Sequence, residues 1–169
     1  MTANIITKVV EINNCNGDTF VKAIYKEKFW EIISPVTKIE VEFISPNVFR
    51  SEIIDEVKLT VGNLLNIPIE MTGEMVLLDK GEVPEKGRLI EFNVRNNKDV
   101  KKLEGRFRIK QISTNTVKIG VFIQILELSS DFINLIGKSA AELILRTKIT
   151  GMLRNLEKYC QSNNLKDLL

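Results

Sequence analysis

The sequence predicts an α+β fold: an antiparallel sheet of about seven strands, curved around one long C-terminal helix. Three observations predict it. Six segments between Thr37 and Leu126 alternate apolar residues with polar or charged ones at period two. Short runs of Asn, Asp, Ser, Gly and Pro separate them, and connections that short imply antiparallel neighbours. Beyond Asp131 the alternation stops, and apolar residues recur at spacings of three and four.

Ile5 to Ile12 reads as a first strand, broken by Asn13, Asn14, Asn16 and Gly17. Asp18 suits the N-cap of a helix through FVKAIYKEKFWEII. The apolar stripe there is loose, so two short helices with a bend fit as well as one. Ser34 and Pro35 end the segment. In TKIEVEF, Ile39, Val41 and Phe43 share one face, while Lys38, Glu40 and Glu42 share the other. Ser45-Pro46-Asn47 is a turn, and a strand over roughly 48–60 comes next. The stretch 67–79 puts Ile67, Ile69, Met71, Gly73, Met75 and Leu77 on one side. RLIEFNVR aligns Ile90, Phe92 and Val94, and KLEGRFRIK aligns Leu103, Gly105, Phe107 and Ile109. VKIGVFIQIL aligns Val117, Ile119, Val121, Ile123 and Ile125. A sheet with one apolar and one charged face needs a single cover. The tail supplies it: Ala141, Leu145, Ile149 (or Lys148), Met152, Leu156 and Tyr159 form a helical stripe. A helix of about 25–30 residues reaches some 40 Å at 1.5 Å per residue. Gly151 inside that helix reads as a point of close approach or as a cavity floor.

The strand at 48–60 raises a question. Its face carries Phe49, Ser51, Ile53, Asp55, Val57 and Leu59, an aspartate among apolar neighbours. Facing inward without a partner, Asp55 would be desolvated and inclined to neutrality, able to hydrogen-bond a hydroxyl or carbonyl of a ligand. A β-bulge after Ser51 would instead turn Asp55 out and Ile54 in. Pairing with a lysine or arginine is the third reading.

Composition narrows the function. The chain has 169 residues, 44% apolar and 27% charged, which fits one ordinary globular domain over 1–169 with its own core. A net charge of +2 and the lack of RNA-binding signatures argue against nucleic acid. With no histidine, Ser–His–Asp, Cys–His and histidine-based zinc chemistry are excluded. Gly-rich phosphate loops are missing, and no cofactor or metal is expected. Two cysteines, Cys15 and Cys160, lie near opposite ends, which suggests free thiols in a reducing, cytoplasmic setting. The first residues do not read as a secretory signal, and no apolar run is long enough to span a membrane.

Three stretches carry a family resemblance. GDTFVKAIYKEKFWEIISPVTKIEV resembles the early helices of the START and birch-pollen-allergen-like (SRPBCC) superfamily, which includes polyketide cyclase/dehydrase and lipid-transport families. VKLTVGNLLNIPIEMTGEMVLLD, with Val61-Gly62 in a strand connection and Gly73 in the next strand, is similar to the middle of its carbon monoxide dehydrogenase subunit-G branch. ELSSDFINLIGKSAAELILRTKITGMLRNLEKY is similar to that branch's final strand-to-helix passage. The resemblance implies a helix-grip fold with a hydrophobic cavity between sheet and terminal helix. It implies binding or carrying of a lipid-like or polyketide-like small molecule, and a fold alone does not fix an activity. A cyclase or dehydratase using the same cavity is the alternative, with Asp55, Glu70 or Tyr25 as acid–base group. An accessory subunit bound to a membrane or a metalloenzyme is another. Oligomeric state is left open.

Within such a cavity the expected ligand-binding residues are Asp55, Met71, Met75, Phe92, Phe107, Ile123, Leu145 and Met152. For any single apolar one of these, plain core is the favoured reading. Phe29 and Trp30 are expected at the mouth. Arg106, Arg108, Lys110 and Lys118 make a basic outer face, either simply solvated or drawn to an anionic partner such as membrane headgroups.

Overall fold

The computed structural model describes residues 3–61 and 63–169 and, within them, the side chains of all but 59–65. Leu59 and Gly62, both singled out from the sequence, thus lie outside the described side chains or residues. Strand β1 (Ile6–Asn13) leads into helices α1 (Gly17–Ala23) and α2 (Glu27–Ile33). Then come β2 (Lys38–Ser45), β3 (Val48–Val61), β4 (Asn63–Val83), β5 (Gly87–Arg95), β6 (Val100–Ser113) and β7 (Thr116–Leu128). Helices α3 (Ser130–Ile136) and α4 (Lys138–Ser162) complete the order, with a short 3₁₀ turn over Leu165–Leu168.

All seven strands form one sheet in the order β1-β7-β6-β5-β4-β3-β2, with every pairing antiparallel. The first two strands are therefore the two edges. Helices α1 and α2 carry the chain from one edge to the other, and the meander brings it back to β1. The α+β fold expected from the sequence, a curved sheet gripping a long terminal helix, is the fold observed.

The alternation of the sequence sets which face each strand buries. In β6, Leu103, Gly105, Phe107 and Ile109 are buried, while Glu104, Arg106 and Arg108 are half-buried on the outer face. There Arg106 lies opposite Glu91 and over the Phe122 ring at 5.6 Å, and Lys118 lies opposite Glu11. The outer face mixes both signs of charge.

Local chemistry moved several boundaries. Asn16, not Asp18, caps α1: its Oδ1 accepts from the N–H groups of Asp18 and Thr19 at 2.9 and 3.2 Å. Two short helices, not one, occupy 17–33. The β6–β7 register slips between Glu104 opposite Ile125 and Gly105 opposite Ile123, so Gln124 is an extra residue. A bulge changes side-chain parity. Leu126 and Leu128 consequently face inward beyond it, where the simple alternation expected Ile125. The tail helix is split at Gly137, whose φ of 83° and ψ of 154° suit glycine alone. No helix among the described residues is long and apolar enough to cross a membrane.

Cys15 and Cys160 meet in the core as free thiols. The hydrogen bond between them, reinforced by burial, pushes the Cys15 thiol up, and the same bond draws the Cys160 thiol down.

Candidate functional site

One half of the sheet–helix interior is solid. Phe20 and Phe29 meet edge to face at 5.6 Å, Phe29 and Trp30 at 5.3 Å, and Phe92 and Phe107 stack tilted at 4.6 Å. Such pairs contribute about 0.5–1.5 kcal/mol each beyond simple burial. Leu156 and Cys160 of α4 close this half at 1% and 0% exposure. What space remains is a void of about 40 Å³.

The other half is open. A cavity of about 300 Å³ lies between β3, β4 and the far ends of β5–β7 on one side and α3 and α4 on the other. Its volume is at the lower end of the range typical of small-molecule sites. From the sheet come Phe49, Ser51, Ile53, Asp55 and Val57 at every second position of β3, which settles the parity of that strand. The β3–β4 ladder runs without a slip from Phe49 to Val57 and the β2–β3 ladder from Phe49 to Ile54, so no bulge turns Asp55 outward, and Ile54 is 48% exposed on the other face. Ile69, Met71 and Met75 of β4 add the next row. Leu145 and Met152 of α4 form the roof, with Phe132 and Ile136 of α3 at its end.

Asp55 faces the cavity, and it is paired. Its Oδ2 meets Nζ of Lys148 from α4, and its Oδ1 accepts from the Thr37 N–H and hydroxyl, both at 3.3 Å. Lys148 also donates to the Pro35 carbonyl at 2.7 Å. The two readings posed as alternatives, inward and paired, hold together, and the premise of an isolated carboxylate falls away. One stripe of α4 makes these contacts. Lys148, Gly151 and Asn155 all face the connector between α2 and β2, where Asn155 donates to the Ile33 carbonyl at 2.9 Å. A Cβ on Gly151 would come within 2.9 Å of the Pro35 ring. Close approach to this connector, not a cavity floor, explains the glycine.

The structure places the remaining sequence candidates as follows. Met71, Met75, Leu145 and Met152 line the cavity together with Asp55. Phe92 and Ile123 are packed in the solid half, away from it. Phe107 and Trp30 border only the 40 Å³ void, which Met152 also touches. Trp30 is not at a mouth: it is 5% exposed, and its indole N–H donates to the Ile24 carbonyl at 2.7 Å. Phe29 is buried beside it at 1%. These residues sit on the inward faces their spacing implies, but one face serves both a solid and an open region. Of the other acid–base candidates, Glu70 is exposed on the opposite face. Tyr25 lies near Asp79, its phenol pushed up by burial, and does not line the cavity.

Sequence reasoning missed Lys148, Leu126, Leu128, Phe132 and Ile136. Lys148 stood one place from Ile149 in the helical stripe, and only the position of the connector distinguishes them. A larger cleft, about 490 Å³, lies outside the sheet between α1 and the β4–β5 turn. Two of its polar side chains are engaged within it: Gln111 accepts from the Gly17 N–H at 2.7 Å, and Lys110 donates to the Glu85 carbonyl at 2.9 Å.

No family model matches the sequence, and no curated protein matches it. Solved structures do match. A START superfamily protein from Mycobacterium smegmatis is 11% identical, with 94% of this chain and 98% of that chain aligned at a TM-score of 0.63. The Zhui aromatase/cyclase from Streptomyces sp. R1128 is 11% identical, covering 96% and 92% at 0.55. Norcoclaurine synthase from Thalictrum flavum, solved in complex with dopamine and hydroxybenzaldehyde, is 13% identical, covering 93% and 86% at 0.57. Identities this low establish the fold: the chain carries the START-like helix-grip architecture that these proteins share.

Proposed function

We propose that this chain, its sheet and helices acting as one domain, binds a hydrophobic small molecule in the cavity beneath α4. The observation that carries this reading is the cavity itself: about 300 Å³, walled chiefly by Ile, Leu, Val, Met and Phe from β3, β4, α3 and α4. Apolar walls with few polar groups are the usual make-up of such sites. Methionines at 71, 75 and 152 let the walls adapt to the occupant. Asp55 serves here through its pair with Lys148, and Met71, Met75, Leu145 and Met152 make the apolar contacts. Binding or carriage is favoured over cyclase or dehydratase chemistry, because Glu70 and Tyr25 do not line the cavity. The free thiols suit a cytoplasmic setting.

The test is saturable binding of the neutral fluorophore N-phenylnaphthylamine to the intact chain. Trp30 provides a second signal, since its ring lies 5.0 Å from that of Phe49, which lines the cavity. Saturation at one molecule per chain, lost in Met75→Trp with the fold retained by circular dichroism, supports the reading. Absence of saturable binding overturns it.

A further inference from the structure

If the cavity binds a hydrophobic molecule, as proposed, the Asp55–Lys148 pair specifies the polar end of that molecule. An ammonium has three donors. Lys148 gives one to the Pro35 carbonyl and holds its ammonium against Asp55 Oδ2 in an ion pair that lacks hydrogen-bond geometry. A further N–H is left for a group in the cavity that Lys148 lines. Asp55 Oδ1 accepts from Thr37 twice, and Oδ2 rests against the Lys148 ammonium as an ion pair. The pair sums to zero charge at 27% side-chain exposure for the lysine and 8% for the aspartate. An anionic ligand head placed there would leave one uncompensated negative charge among apolar walls, which is costly. A neutral oxygen would accept that further N–H and leave the sum at zero. Ser51 stands four residues from Asp55 on the same face, about 13 Å along the strand, so the space between is apolar in length as well as in wall.

We propose that the ligand is an apolar molecule ending in a neutral oxygen acceptor, a ketone, aldehyde or alcohol, held by Lys148, and that Asp55 is present to reject carboxylates. The lysine is the contact, and the aspartate sets the charge the contact presents. This differs from a cavity that sorts ligands by hydrophobicity alone, in which removing Asp55 would change all ligands alike.

The experiment measures the dissociation constants of decanone, decanol and decanoate by displacement of N-phenylnaphthylamine at neutral pH. In the unaltered chain decanone and decanol are expected to bind at least tenfold tighter than decanoate, the scale of one charge-assisted hydrogen bond. Asp55→Asn leaves Lys148 positive and unbalanced, so decanoate should tighten about tenfold while decanone changes little. Lys148→Met should weaken decanone about tenfold more than it weakens the fluorophore. Equal binding of decanone and decanoate by the unaltered chain overturns the proposal, whatever the variants do. So does an Asp55→Asn protein that binds the fluorophore and keeps the original order. Failure of the fluorophore itself to bind the unaltered chain removes both the binding function and this inference, a result distinguishable from loss of head-group preference alone.

Discussion

The two halves of α4 lie over interiors of opposite character. Its C-terminal half presents Leu156 and Cys160, both essentially unexposed, to a region filled by Phe20, Phe29, Trp30 and Phe107. Its N-terminal half presents Leu145 and Lys148, both half-buried, to a 300 Å³ cavity whose opposite wall is methionine and isoleucine. Helices α1 and α2 make the difference. They fill the concave side of the sheet near one end of α4, and among the described residues nothing of equal bulk fills the other end. Only α3 stands there, and none of its residues is fully buried. Stability and ligand capacity are thus assigned to different parts of one helix–sheet interface.

The largest effect should come from truncation in the solid half. Leu156→Ala removes a side chain 1% exposed and is expected to cost about 2–5 kcal/mol by urea denaturation. Leu145→Ala, on the same helix but against the cavity, should cost less than half as much. Equal costs would mean that the cavity wall is packed as tightly as the core.

Enlargement sharpens the same contrast from the other direction. Ile149→Phe, at 6% exposure, borders only the 40 Å³ void, smaller than a phenyl ring, and should lose about 1–3 kcal/mol. Met75→Phe has the cavity to enter, so its midpoint should change little while fluorophore binding falls. A loss of stability in Met75→Phe matching that of Ile149→Phe would break the distinction.

The joint between α3 and α4 comes next. Gly137→Ala forces a methyl-bearing residue into φ 83°, ψ 154°, at a cost of about 1–3 kcal/mol. Because a Cβ there meets nothing within 4 Å, the cost is backbone strain and not collision. Faster amide exchange confined to α3 and the first turn of α4 is expected. Faster exchange throughout the sheet would mean that α3 is part of the solid half.

The smallest effect is acid sensitivity away from both halves. Burial would raise the Asp79 carboxyl, but hydrogen bonds from the Arg88 guanidinium and from the Gly81 N–H outweigh it and hold it below the ordinary range. A carboxyl with a lowered folded pKa contributes stability that is complete above its unfolded pKa and lost as pH falls through the folded one. Arg88→Ala should therefore cost about 0.5–1 kcal/mol near neutrality for a pair this exposed, and nothing at strongly acid pH. A cost independent of pH would assign Arg88 to packing.

Much of the fold was legible because period-two alternation and short polar turns are local signals. Ile39, Val41 and Phe43, or Leu103, Gly105, Phe107 and Ile109, show their face without any knowledge of partners. The candidate site was legible only in part. Met71, Met75, Leu145 and Met152 could be assigned to the inward faces, as could Phe92, Phe107 and Ile123, whereas the sequence left the orientation of Asp55 open. Which inward residues meet a cavity and which meet other side chains depends on where α1 and α2 settle, and loose helical stripes do not encode that. Trp30 illustrates the point: an aromatic before a proline reads as a rim, yet the Ile24 carbonyl and the Phe49 ring hold it inside.

By itself the sequence determined an antiparallel meander with one apolar face and a long helix to cover it, because side-chain alternation and helical spacing act between near neighbours. The tertiary structure alone decided that the cover would be tight at one end and open at the other. It also decided that Lys148 would cross from the helix to neutralise Asp55. Both depend on volumes and charges brought together from distant segments, and no local pattern records how those sums close.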